Sequence, residues 1–163
     1  METRTLGNDL RVTAVGLGCM GFTLGYGKPT DKKTAMAAIR KAYKMGCRFF
    51  DTAEIYQGQA SDGSISYNEE IVGEVLHDVR DQVVIATKFG IRPAAGATTT
   101  QAVVADSRPE TIIKSVEASL KRLNTDHIDL YYQHRIDPNV TPESVAQTMK
   151  ELIAAGKITH WGI

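Results

Sequence analysis

Four ionisable residues stand at or just beyond the ends of short apolar runs in this chain. Asp51 closes Arg48-Phe-Phe, Tyr56 follows it five residues on, Lys88 closes Val83-Val-Ile-Ala-Thr, and His134 closes Ile128-Asp-Leu-Tyr-Tyr-Gln. If those runs are neighbouring parallel strands, all four side chains meet at one mouth. A phenol is a poor acid at neutral pH, with a reference pKa of about 10. A close ammonium favours the phenolate and makes the phenol a better donor. A carboxylate beside the lysine holds it charged and in place, and an imidazole can orient a carbonyl oxygen or share a proton. Together they form a proton donor aimed at an oxygen that gains negative charge, as in carbonyl reduction. None of the four is a reductant, so a hydride carrier must be supplied.

Taken singly, each residue has a plainer reading. Asp51 could cap the loop from Thr52 to Glu54, Lys88 could be a solvated strand end, Tyr56 a packed loop aromatic and His134 a hydrogen-bonded core histidine. The plain readings do not explain why all four fall in register.

The elements that must position them follow from periodicity. Helices are predicted over about Asp31–Met45, Tyr67–Asp78, Pro109–Leu123 and Pro142–Ala155. Their inward faces carry Ala35, Ala38, Ile39, Ala42 and Met45, then Ile71, Val72, Val75 and Leu76. The third carries Ile112, Ile113, Val116, Leu120 and Leu123, and the fourth Val145, Met149, Leu152 and Ile153. Thr30 or Asp31 and Thr141 are natural N-caps, Pro109 fits a first turn, and Gly46 and Gly156 stop helices. Strands are predicted over Val15–Met20, Arg48–Asp51, Val83–Lys88, Ile128–His134 and Lys157–Ile163. Most are continuous apolar runs, as in parallel strands covered by helices. A hairpin is expected from Thr3–Leu6 and Leu10–Thr13, turning at Gly7-Asn8-Asp9. The alternation of strand and helix is that of an α/β protein with right-handed crossovers.

Helix-to-strand links are short, whereas Gly21–Thr30, Thr52–Ser66 and Phe89–Arg108 are long strand-to-helix links. Pro93–Asp106, rich in Ala and Thr, has no strong pattern. All the long loops therefore leave the carboxyl ends of the strands, where α/β sheets and barrels bind ligands.

Composition narrows the function classes. The chain has 163 residues, 42% hydrophobic and 23% charged, which suits one domain, and 19 basic against 19 acidic residues give zero formal charge. Bulk-charge binding to nucleic acid is not expected, nor is membrane insertion, since no apolar run approaches the ~20 residues a bilayer requires. The polar start METRTLGNDLR is unlike a signal peptide. Cys19 and Cys47 are too few for a disulfide framework and give no zinc spacing. A cytoplasmic protein without a metal is the expectation.

Gly16-Leu-Gly18-Cys-Met-Gly21 matches G-x-G-x-x-G after a strand. A dinucleotide-binding turn needs a helix to start at the third glycine. Here Gly25, Gly27 and Pro29 intervene and no helix is predicted before about Asp31, so these glycines read as a tight turn at a strand mouth.

The chain resembles the aldo-keto reductases. Gly46-Cys-Arg48-Phe-Phe-Asp51-Thr-Ala-Glu54-Ile-Tyr56 is similar to that family's signature, and Val83-Val-Ile-Ala-Thr-Lys88 and Ile128-Asp-Leu-Tyr-Tyr-Gln-His134 to its third and fourth strands. Gly18-Cys-Met20-Gly21 and Gly156-Lys157-Ile158 to Gly162-Ile163 match in order, so the resemblance spans essentially the whole chain. It implies a (β/α)8 TIM-type barrel with an N-terminal hairpin and NADPH-dependent reduction of small aldehydes and ketones. Tyr56 would be the general acid, Lys88 and Asp51 would tune it, and His134 would position the carbonyl. Met20 and Asp51 would lie near the nicotinamide end of NADPH. Tyr132-Gln-His134-Arg135-Ile-Asp137 is similar to the branch acting on small or broad carbonyl substrates, whereas Gln57–Ser66 is longer than the family pattern before Tyr67-Asn-Glu-Glu70.

A full barrel of this kind takes about 250 residues. The expectation is therefore one domain over residues 1–163, the N-terminal part of a barrel. It comprises a hairpin at 3–13, βα units over 14–155 and a fifth strand at 157–163, with the barrel truncated after about that strand. The family's adenosine-phosphate loops would lie beyond it. Val15, Leu17, Phe49, Ile85, Leu130 and Ile158 include the axis-facing side chains, which would lack an opposite wall. Burial of one such side chain is worth about 1.5–3 kcal/mol, set against a typical stability of about 5–15 kcal/mol. Self-association or a complementing C-terminal half is the expected partner. The alternative to a reductase half is an inactive half-barrel that mainly self-associates.

Overall fold

The computed structural model describes residues 1–60, 62–94 and 103–163. The chain opens with an antiparallel hairpin of β1 (Thr3–Leu6) and β2 (Leu10–Thr13), pairing Thr3 with Thr13 and Leu6 with Leu10. β3 (Leu17–Gly18), α1 (Lys32–Lys44) and β4 (Phe49–Asp51) follow. β5 (Gln57–Gln59) and β6 (Ile65–Tyr67) form a small antiparallel pair before α2 (Asn68–Leu76). β7 (Val84–Phe89) precedes a second small pair, β8 (Ile91–Pro93) with β9 (Val103–Ala105). α3 (Pro109–Leu123), β10 (Ile128–Gln133), α4 (Pro142–Ala154) and β11 (Ile158–Gly162) complete the chain.

β3, β4, β7, β10 and β11 form one parallel sheet in the order β11-β10-β7-β4-β3. Consecutive strands are neighbours throughout, as in an arc of a barrel. Local chemistry sets the helix ends. The Asp31 side chain accepts from the Thr34 N–H and the Thr141 hydroxyl from the Ser144 N–H, while Pro109 and Pro142 occupy first turns. Gly46 follows α1 at φ +96°, a conformation that suits glycine. Gly73 serves packing instead: a Cβ there would lie 2.3 Å from the Leu123 carbonyl oxygen, so its absence lets α2 meet the end of α3.

The main core lies between sheet and helices and includes Ile39, Phe50, Leu76, Ile85, Phe89 and Tyr131. On the other face, β2 sets Leu10 and Val12 against Ala86 and Leu130. Asp9, in the hairpin turn, reaches His160 on β11 at 3.0 Å. The hairpin thus spans the base of the arc.

Three expectations require correction. The first parallel strand is two residues long, not the predicted Val15–Met20, because glycines at 16 and 18 favour strand poorly and Met20–Phe22 winds into one 3-10 turn. Of the residues expected on inward faces, Ala38 and Met45 are exposed, and Ile113 and Ile153 are 43% and 42% exposed, the last two because each lies one residue round from its helix's buried stripe. The side chains expected to lack a wall are also mostly covered. Ile85 and Ile158 lie buried in the sheet–helix core and Leu130 beneath the hairpin, and only Val15 of that set is strongly exposed. The patternless stretch at Pro93–Asp106 contributes to β8 and β9, and residues 95–102 within it lie outside the described residues.

Candidate active site

The four sequence-predicted residues converge at the carboxyl ends of adjacent strands. Asp51 ends β4, in register with Ala86 of β7, and Lys88 of β7 is in register with Tyr132 of β10. Tyr56 sits in the loop after β4. His134 follows β10 directly, its backbone N–H bonded to the Phe89 carbonyl at 2.8 Å.

Lys88 is the centre of the arrangement. Its ammonium donates to Asp51 Oδ1 at 2.5 Å, to the Thr52 carbonyl at 2.7 Å and to Tyr56 Oη at 3.2 Å. An ammonium has three donors, and these three acceptors use all of them. Nζ also stands 4.8 Å from the Tyr56 ring centroid. The lysine is mostly buried, and the Asp51 side chain stays one-third exposed. The cation is therefore held by two fixed acceptors while its third N–H addresses the phenol.

His134 faces the same phenol edge-on, with ring centroids 5.7 Å apart and planes at 81°. Burial, aided by the positive charges of Lys88 and Arg135, pushes its pKa down to about 4. The imidazole is neutral at physiological pH and can donate one ring N–H to an oxygen placed against Tyr56. Its buried Nδ1 has no hydrogen-bond partner among the described residues. A histidine ordinarily titrates near 6.5, so between pH 6.5 and 4 the unfolded chain binds more protons at this site. Stability contributed by neutral His134 is therefore lost as the pH falls through that window. Parent protein should lose more melting temperature across it than His134→Asn, with the other histidines common to both. Equal losses would show that His134 is not held neutral by the fold.

Met20 lies on the turn after β3 and packs, partly buried, against the cluster containing Ala53, Ile55 and Tyr56. Its neighbour Cys19 is buried, and burial foremost, then the Asp51 carboxylate, pushes that thiol up to about 12. It stays protonated and is unsuited to nucleophilic or metal chemistry. The glycine motif around it opens only one 3-10 turn, and α1 begins at Lys32, so the motif lacks the N-terminus of an α-helix to face a phosphate. Glu54 accepts from the Gly90 N–H at 3.1 Å and has its pKa raised, chiefly by burial.

Two positions escape a sequence reading. Asn68, in the first turn of α2, is buried with every polar atom of its side chain engaged. Glu69 is buried beside it, accepting from the Thr87 hydroxyl at 2.6 Å and from Arg122 Nε at 2.6 Å. Tyr67-Asn-Glu-Glu70 enters the sequence reading only as a landmark of the resemblance, and an Asn-Glu pair at the start of an amphipathic helix ordinarily reads as a solvated first turn. Among the described residues, no helix is long and apolar enough to cross a membrane.

The Aldo/keto reductase family model matches residues 14–163. Probable aldo-keto reductase 1 of Glycine max is 36% identical over 153 residues, 93% of this chain and 41% of that protein. Aldo-keto reductase yakc of Schizosaccharomyces pombe, whose name specifies NADP(+), is 34% identical over 167 residues, 100% of this chain and 45% of that protein. The solved structure of aldo-keto reductase AKR11C1 from Bacillus halodurans, in its holo form, superposes with a TM-score of 0.83 at 32% identity, covering 100% of this chain and 50% of that one. The chain thus spans about half the length of these relatives, over their arc of parallel strands and covering helices, and it belongs to the aldo/keto reductase family.

Proposed function

We propose that residues 1–163 form one domain that carries the proton-transfer machinery of an NADPH-dependent reductase of small aldehydes or ketones. The observation behind this reading is the Lys88 ammonium joining the Asp51 carboxylate to the Tyr56 phenol, opposite a neutral His134. For the cofactor, support comes from the name of the S. pombe relative and the holo form of the B. halodurans one.

The residues present fit one end of that cofactor. Asp51 gives Oδ1 to Lys88 and keeps one-third of its side chain open at the mouth, and Met20 stands on the turn beside it. These two would border the nicotinamide, and when bound NADPH supplies a hydride to the carbonyl carbon. Tyr56 Oη donates its proton to the carbonyl oxygen as negative charge grows there, which makes the product an alcohol. The Lys88 N–H aimed at Oη stabilises the phenolate left behind. Asp51 and the Thr52 carbonyl stop the ammonium from swinging away. The neutral His134 ring donates to the same substrate oxygen and fixes its direction, and solvent at the mouth restores the phenol.

A second reading, an inactive half-barrel that mainly self-associates, draws support from the unpaired outer edges of β3 and β11 among the described residues. One experiment separates the two. Residues 1–163 are joined to the strands that complete the barrel in a family relative, then mixed with NADPH and 4-nitrobenzaldehyde. Oxidation of the nicotinamide with formation of the alcohol is expected. A folded barrel that binds NADPH and forms no alcohol would favour the inactive reading.

A further inference from the structure

We infer that Asn68 is a positioning residue: one buried amide that locks the Tyr56 loop, the Lys88 anchor and the Met20 turn into a single geometry. The inference rests on the reductase reading for what that geometry does. Asn68 Nδ2 donates to the Cys19 carbonyl at 2.8 Å and to the Thr23 hydroxyl at 2.8 Å. Thr23 in turn donates to the Tyr56 carbonyl at 3.1 Å, and the Asn68 backbone N–H donates to that same carbonyl at 2.9 Å. Asn68 Oδ1 accepts from the Thr52 hydroxyl at 2.7 Å. Thr52 is also the residue whose carbonyl receives the Lys88 ammonium.

The directions are fixed by chemistry. A carbonyl can only accept, so the Cys19 contact assigns Nδ2 and leaves Oδ1 for Thr52. Thr23 spends its proton on Tyr56 O and must accept from Asn68. Asn68, Thr52 and Thr23 are all buried, so water cannot replace a lost partner cheaply. Two segments far apart in sequence are thereby tied to one residue: the side chain holds Cys19, which precedes Met20, together with Thr23 and with Thr52, which follows Asp51, while Thr23 and the Asn68 backbone N–H hold the main chain of Tyr56. A fully satisfied buried network of this kind specifies one arrangement. Its loss would let Oη and Nζ drift, and a misplacement of about 1 Å can cost about 100-fold in rate.

The test has two arms. In the completed barrel with NADPH and 4-nitrobenzaldehyde, Asn68→Ala should lower kcat by about 10- to 100-fold and displace the pH profile of kcat, because the ammonium is no longer fixed beside the phenol. Thr52→Val, which removes only the hydroxyl donor, should lower kcat in the same direction, and Thr52→Ser should restore it. In the completed barrel without NADPH or aldehyde, the ring-carbon NMR resonance of Tyr56 should move in Asn68→Ala and Thr52→Val and return in Thr52→Ser. Parent-like kcat, pH profile and resonance in folded variants would overturn the inference. If Asn68→Ala does not fold, the Thr52 pair decides. If the parent barrel forms no alcohol, the reductase reading fails while the resonance arm still decides whether Asn68 positions Tyr56.

Discussion

Lys88→Met, made in a barrel completed beyond Ile163, should lower the rate of carbonyl reduction by more than about 100-fold, within the range of lost acid–base catalysis. Methionine keeps much of the length and bulk of the lysine stem but has no N–H. Three contacts vanish together, at Asp51 Oδ1, the Thr52 carbonyl and Tyr56 Oη. The phenol then loses the donor that stabilises its anion, and the Asp51 carboxylate loses its compensating cation. Tyr56→Phe should do at least as much harm, since it removes the proton itself and leaves the ring packing against Ala53 and Ile55. Single-turnover oxidation of NADPH by 4-nitrobenzaldehyde measures both, and circular dichroism establishes that each variant is folded. Near-parental turnover in either one means that the proton comes from another group. The two variants should not be additive, because the lysine acts through the phenol.

The features legible in the sequence were those set by local pattern. The hairpin strands Thr3–Leu6 and Leu10–Thr13 follow from the turn residues Gly7-Asn8-Asp9 between them. α3 follows from Pro109 at one end and a 3.6-residue stripe of Ile112, Val116, Leu120 and Leu123. Asp51, Lys88 and His134 stood out because each is an ionisable residue closing an apolar run, and the three fall in register. The features that escaped are set by partners distant in sequence. β5 and β6 are three residues each, built on Gln57-Gly-Gln59, and exist because the chain doubles back on itself. Asn68 reads as a helix start until the Cys19 carbonyl and the Thr52 hydroxyl arrive from other loops. Periodicity gave the right side of the third helix yet placed Ile113 inward, because a stripe read from sequence is uncertain by one residue at its margin.

Residues 1–163 made alone should run as a dimer or larger species, or be poorly soluble, and should bind NADPH weakly or undetectably. Five strands do not close a barrel of this kind, which needs eight. Among the described residues, β11 pairs only with β10 and β3 only with β4, so each presents an unpaired backbone edge. Such an edge is a template for another strand. The inner face drives association less than the sequence implied, because the hairpin covers Ala86 and Leu130 at the base. Each edge also has an exposed apolar residue beside it, Val15 at 63% and Ile163 at 70%. A second copy can cover both at once. The same geometry limits cofactor binding, since Met20 and Asp51 would touch only the nicotinamide end. Light scattering gives the mass, and quenching of Trp161 fluorescence reads NADPH binding. A folded monomer that binds NADPH at micromolar concentration would contradict both expectations, because the arc would then be stable with its edges open and would grip a cofactor through one end alone.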